Sequence, residues 1–296
     1  MDVLKNNAKK IAVMGAVAAS FSAIFVRLVD VPPVAIGFYR LTFSVPFFAA
    51  AVLMRYRKEL LAVKGRQLAG CILGGLFLAG HYFTWFTAIS HTTVASAVVL
   101  CNLSPIIILI FTVLVFREKT NGKAVTGVAL ALIGAAVIAG GDYSFAGNAI
   151  FGDIMAFLGA LFYSLYFLVG RTMRKGINAA VYIFIVFFSC WLAFGIGMVA
   201  TGTPFTGYSV KDYLFLFAFA MVCQIGAHAV FNWCLGHVSP LYISTIETGE
   251  SIFAAALAAV FFSEIPTLWQ WIGGGIVIVG LLYYHYHEED NPGKKE

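Results

Sequence analysis

Apolar residues fill this 296-residue chain in ten runs of about 20 residues, joined by polar stretches too short to hold another domain. The runs cover residues 11–29, 33–53, 67–89, 92–115, 122–140, 150–170, 178–201, 211–235, 238–262 and 269–286. A helix of about 20 residues, rising ~1.5 Å per residue, crosses ~30 Å of hydrocarbon. Each run therefore predicts one membrane-spanning helix. The opening stretch "MDVLKNNAKK" leads into a full-length span without a small-residue cleavage site, which reads as a retained first helix.

Composition turns this pattern into a class. Hydrophobic residues make up 61% and charged residues 11%, against roughly 25% charged in a soluble domain. Too few charges are present to cover so much apolar surface, so the expected fold is an all-α polytopic membrane protein. With the N-terminus inside, Lys5, Lys9, Lys10, Arg55, Arg57, Lys58, Lys64, Arg66, Arg117, Lys119, Lys123, Arg171, Arg174, Lys175, Lys294 and Lys295 gather on the inner side. The outer side keeps Lys211 and Arg27 beside Asp30, Asp142, Asp153 and Asp212. The positive-inside rule then puts both termini in the cytoplasm of a cell-membrane protein. The net charge of +5 is explained by topology, and no nucleic-acid partner is implied. Cys71, Cys101, Cys190, Cys223 and Cys234 all fall within spans without ligand spacing, so neither a disulfide framework, a metal nor a cofactor is expected.

The chain repeats itself. Residues 88–119, "AISHTTVASAVVLCNLSPIIILIFTVLVFREK", align without a gap on residues 234–265, "CLGHVSPLYISTIETGESIFAAALAAVFFSEI". His91 falls on His237, Phe116 on Phe262 and Glu118 on Glu264; further on, Gly127 meets Gly273 and Gly134 meets Gly280. Two halves, 1–146 and 147–296, would hold five spans each. An odd number inverts the second half, the plan of many secondary transporters with a midplane substrate site.

Four features carry a resemblance: two five-span halves, an arginine within "FYRLTF", the stretch "LSPIIILIF", and fourth and ninth spans closing on "FRE" and "FSE". Together they resemble the EamA-type transporters of the drug/metabolite transporter superfamily, over almost the whole chain. The resemblance implies a central cavity lined by spans one to four and six to nine, with spans five and ten peripheral. One departure stands out: Glu250-Ser251 replaces the Glu-Pro frequent in that family's ninth span.

Polar residues inside the spans are the candidate site. Glu247 and Glu250 lie three residues apart on one helical face, and each acid costs ~2.5–3.5 kcal/mol at a span centre. An isolated acid can be a hydrogen-bonded packing group, held here by Asn102, Gln224 or Asn232; two on one face point to function. Two acids one turn apart in low dielectric resist ionising together, so one can be neutral in half of a transport cycle and charged in the other. Glu250 is the expected proton or cation site, with Glu247 its inner neighbour. Arg40 belongs to the resembling pattern whatever the solute, and an ion pair with Glu264 or Glu250 is its expected role. His81 and His228 lie within spans three and eight. Tyr82, Trp85, Tyr163, Tyr166 and Phe231 lie on the implied cavity helices, Trp85 and Phe231 at matching repeat positions. Aromatic faces beside carboxylates suit an organic ammonium. Asn102 completes the candidate set. "GGLFLAG" and "GGGIVIVG" lack the lysine of a phosphate loop and read as close-packing helix faces.

The expected function is secondary transport of a small organic metabolite, an amine or another cationic or zwitterionic solute, with protons as the coupling ion and lipid as the surroundings. Export or exchange of neutral or aromatic amino acids or nucleoside-like metabolites is the alternative. A receptor or assembly subunit is a third reading, but it needs no buried acids on one face. An enzyme is not expected, because no metal spacing or nucleophile elbow occurs. The sequence leaves the oligomeric state open; a monomer would suffice.

Overall fold

The computed structural model describes residues 2–116, 122–143, 147–174, 176–238, 242–243, 246–247 and 250–289. The described residues form helices joined by short turns and loops, with no strand among them. In chain order they form α1 (Asp2–Ala19), α2 (Ser22–Leu28), α3 (Pro33–Arg55), α4 (Arg57–Ala62), α5 (Gly65–His91), α6 (Val94–Cys101), α7 (Ser104–Phe116), α8 (Gly122–Tyr143), α9 (Gly147–Met173) and α10 (Ala179–Thr201). Then come α11 (Val210–Phe219), a wide π-helical stretch (Ala220–Ala229), α12 (Val230–Cys234), α13 (Glu250–Phe262) and α14 (Leu268–Glu289).

Among the described residues seven helical stretches are long and apolar enough to cross a membrane: Asn7–Leu28, Pro33–Arg55, Gly65–His91, Val94–Val115, Ala149–Met173, Ala179–Thr201 and Val210–Cys234. Shorter apolar stretches occupy Val125–Ile138, Phe253–Phe262 and Leu268–Tyr284. Large side chains such as Met14, Met54, Leu114, Val199 and Val260 point outward with at least 70% of their surface uncovered. That surface needs lipid around it. The protein is a multi-pass membrane protein.

Local chemistry sets the ends. Pro33 begins α3, where its missing N–H costs nothing. Ser209 accepts from the Asp212 backbone while the Asp212 side chain reaches back, a reciprocal cap that starts α11. Gly202 ends α10 with φ at 65°, a conformation that favours glycine.

Three spans depart from the unbroken helices their apolar runs predict. The first breaks at Ser20–Phe21, between α1 and α2, where Ser20 Oγ donates back to the Ala16 carbonyl. The fourth breaks at Asn102–Leu103, between α6 and α7. Pro105 lies just beyond; it has no N–H for the carbonyl four residues earlier and disfavours helix in the residue before it. The eighth widens into the π-helical stretch, which carries Gln224 and His228. Of the expected 238–262 span, residues 239–241, 244–245 and 248–249 lie outside the described residues, as does Glu118 of "FRE".

Glycines bring α8 and α14 together. A Cβ on Gly127 would lie 2.6 Å from the Gly280 carbonyl oxygen, and one on Gly134 would lie 2.6 Å from that of Gly273. The reverse tests agree: a Cβ on Gly273 would meet the Gly134 carbonyl at 2.6 Å, and one on Gly280 that of Gly127 at 2.7 Å. The glycines that align in sequence thus make crossed contacts in space, each with the partner of the other. Backbones this close require small residues.

Candidate functional site: a polar cavity at two helix breaks

A cavity of about 40 Å³ lies where the interrupted helices meet. Ala19 and Ser22 reach it from either side of the first break; Cys101 and Asn102 reach it from the second. α3 contributes Arg40, α5 contributes His81, Tyr82 and Trp85, α9 contributes Tyr163, and the π-helical stretch contributes Cys223 and His228. Glu247 closes the wall. Among the described residues none of α8 or α14 lines it, and none of α10 does either, although the resemblance implied a place in the lining for that seventh span.

Glu247 is 4% exposed. The Tyr163 hydroxyl donates to its Oε1 at 2.6 Å, a charge-assisted geometry if the carboxyl is ionised. Asn102 Nδ2 donates to the Glu247 backbone carbonyl at 3.3 Å, which ties the turn of the fourth span to the acid-bearing segment. Tyr163 also stacks on the His81 ring, centroids 4.5 Å apart. His81 Nδ1 lies 3.0 Å from the Gly159 carbonyl. A carbonyl can only accept, so Nδ1 carries a proton and donates here. The His228 ring meets Tyr82 edge to face at 5.1 Å and Tyr163 at 5.9 Å. Trp85 Nε1 donates to Ser22 Oγ at 3.2 Å, fixing the indole against the first break. Tyr82 donates to Gln224 Oε1 at 2.8 Å.

Arg40 is fully buried and packs against two rings, its guanidinium carbon 4.4 Å from the centroid of Tyr82 and 4.3 Å from that of Phe219. The expected pair with Glu264 does not form. Glu264 instead lies 3.7 Å from Arg27 and accepts from the Val94 backbone at 2.7 Å, at the first turn of α6. Arg27 in turn donates to the carbonyls of Ile89 and Thr92 at the end of α5. The reason is position: Glu264 follows the last turn of α13, at the end of the bundle where α6 begins, whereas Arg40 lies two turns inside α3. Arg27, expected as a topology marker, is therefore a helix-capping residue.

Seven of the candidate residues meet at one cavity: Glu247, Tyr82, Trp85, Tyr163, Asn102, His81 and His228. Tyr166 is buried beside Tyr163 but does not reach the lining. Phe231 is not a cavity residue either; its ring fills the space that a Cβ on Gly15 would need, 2.7 Å away. The side chain of Glu250 lies outside the described residues; its backbone begins α13, as Ser104 begins α7 at the aligned repeat position. The sequence reading passed over Ser22, Cys101 and Cys223. Cys101 had one signal, since it aligns with Glu247 in the repeat. Among the described residues no group of His, Cys, Asp or Glu is arranged to hold a metal ion.

Apolar helices around a small polar cavity, with two helices broken at its wall, define a membrane transporter. Comparison with known proteins agrees. Residues 10–140 and 150–285 each match the EamA-like transporter family, and the chain belongs to that family. It is 24% identical over 278 residues to an uncharacterized transporter of Archaeoglobus fulgidus, covering 89% of this chain and 91% of that one. It is 25% identical over 228 residues to the aromatic amino acid exporter YddG of Escherichia coli, covering 74% and 76% respectively. A crystal structure shares the fold with a TM-score of 0.70 at 19% identity, over 96% of this chain and 98% of the other.

Proposed function

We propose that this protein is a secondary transporter that carries a small organic solute with an amine group through the central cavity, by alternating access and in exchange for protons. Both termini face the cytoplasm in this reading. The observation that carries it is Glu247: a buried carboxyl that accepts from Tyr163, shares its cavity with Tyr82 and Trp85, and is tied through its backbone to Asn102, where the fourth span is interrupted. An acid in that setting is disfavoured unless it pairs or binds protons, and the tyrosine and tryptophan faces suit an ammonium group. Glu250, one turn on, is proposed as the partner acid that shares the proton.

An architecture of two inverted halves, 1–146 and 147–296, supports alternating access. The crossed glycine contacts of α8 and α14 are those a two-fold axis in the membrane plane would generate. If Gly127 is equivalent to Gly273, and Gly134 to Gly280, the 127–280 contact maps onto the 273–134 contact. A cavity of about 40 Å³ holds a water or two. An organic solute thus needs a wider state, reached by rocking one half on the other.

A second reading, export of amino acids, is favoured by the relative named as an aromatic amino acid exporter. A receptor would bind its ligand without moving it. Counterflow separates these readings: liposomes holding only the purified protein are loaded with unlabelled 2-phenylethylamine and given the labelled compound outside. Transient uptake above that of empty liposomes is expected. Binding without counterflow would overturn the transport reading.

A further inference from the structure

Arg40 holds the most demanding charge in the described residues. Its side chain is fully buried, and Nε, Nη1 and Nη2 all lack a hydrogen-bond acceptor. Its guanidinium carbon lies over the rings of Tyr82 and Phe219. Ring faces attract the cation but accept no strong hydrogen bond, so the N–H groups stay unmet. Arg40 lines the same cavity as Glu247. Nearby, Gln224, which accepts from Tyr82, leaves its Nε2 donor without a partner too. The cavity therefore has unmet donors at Arg40, and the carboxyl of Glu247 lines the same cavity.

We propose that Arg40 is a binding residue for a carboxylate on the transported solute, so that the cavity has an anionic pole at Glu247 and a cationic pole at Arg40. This deepens the reading of the cavity as the solute site and rests on it. A planar carboxylate matches the guanidinium fork in two parallel hydrogen bonds. Its single charge balances a single arginine, whereas a phosphate dianion would leave one charge uncompensated in low dielectric. A solute with both an amine and a carboxylate cancels both buried charges at once. Binding is then coupled to charge neutralisation, and a solute lacking either group leaves one pole exposed to the aromatic wall.

Three ring-matched probes test the two poles separately: phenylalanine, 2-phenylethylamine without the carboxylate, and 3-phenylpropanoate without the amine. Binding to the purified full chain in detergent is measured by calorimetry or radioligand filtration. The wild type should bind phenylalanine most tightly. Arg40→Gln should weaken phenylalanine and phenylpropanoate by roughly ten- to a hundredfold, the loss expected for a charge-assisted bond, while 2-phenylethylamine binds at least as tightly as before, because the unpaired cation is gone. That retained probe also reports that the variant folds. Arg40→Lys, which keeps the charge without the fork, should recover part of the loss. Glu247→Gln should weaken the two amines and spare phenylpropanoate. Equal weakening of all three probes by Arg40→Gln, or of none, would overturn the proposal. A wild type that binds 2-phenylethylamine but neither carboxylate would sink the Arg40 site alone and leave the Glu247 reading standing. Binding of phenylpropanoate alone would sink the amine site and keep this one; binding of none would end both.

Discussion

Gly273 and Gly275 are two residues apart on α14, and replacing each with alanine should have opposite results. At Gly275 nothing lies within 4 Å of the added methyl group. Alanine there gains the helix propensity that glycine lacks, about 1 kcal/mol. At Gly273 the same methyl would lie 2.6 Å from the Gly134 carbonyl oxygen and 2.6 Å from Ile138 Cγ1. Normal contact begins near 3.4 Å, so α8 and α14 must part by about 1 Å, and overpacking of this kind costs roughly 1–3 kcal/mol. Both substitutions gain that propensity, so the pair should differ by the overpacking alone, about 1–3 kcal/mol, with Gly273→Ala less stable than wild type and Gly275→Ala at least as stable. Unfolding titrations with SDS in mixed micelles measure this directly. Gly134→Ala should cost as much as Gly273→Ala, because a Cβ there meets the α14 backbone just as closely. Equal stabilities for Gly273→Ala and Gly275→Ala would refute the close crossing, and with it the strongest geometric support for the inverted halves.

Three further predictions follow from the same geometry. In intact cells, a membrane-impermeant thiol reagent should label Tyr143→Cys and leave Lys58→Cys silent; the reverse pattern would overturn the proposed orientation. Glu264→Gln should lose the charged acceptor at the first turn of α6 and the contact with Arg27, lowering stability by about 1–2 kcal/mol in the same SDS titration; no change would make Glu264 a bystander. Glu250→Gln should lower proton-driven uptake less than Glu247→Gln; the opposite order would move the proton site one turn along the helix.

The all-helical membrane character and seven membrane-length helices among the described residues were legible because lipid imposes a single rule, apolar residues over about 20 positions. The breaks inside them were not. Ser20–Phe21 and Asn102–Leu103 lie within unbroken apolar runs, and only Pro105 hinted at one of them. The π-helical widening at Ala220–Ala229 left no sign in hydropathy, since it shifts backbone hydrogen bonds without altering side-chain polarity. Glu247, Tyr163, Asn102 and both membrane histidines could be selected because buried polar groups are conspicuous against apolar surroundings. Their grouping followed from the fold. Of the two acids expected for Arg40, Glu264 is contradicted for an instructive reason: counting charges pairs a cation with an acid, but Glu264 is used at a helix end, and the guanidinium lies over two aromatic rings. Phe231 was misassigned through its match to Trp85, because repeat position does not reveal that Gly15 leaves room for a phenyl ring.

Solute accumulation driven by a pH gradient tests the central claim most directly. Liposomes reconstituted with wild type or Glu247→Gln are given labelled 2-phenylethylamine or phenylalanine with an acidic interior or an acidic exterior, and with no gradient. Size-exclusion profiles and SDS titrations establish that both proteins are folded. The account predicts that the wild type concentrates one of the probes when protons flow against it, and that Glu247→Gln does not under either gradient. Accumulation by Glu247→Gln equal to that of wild type at every pH would contradict it and reduce the buried acid to a packing group.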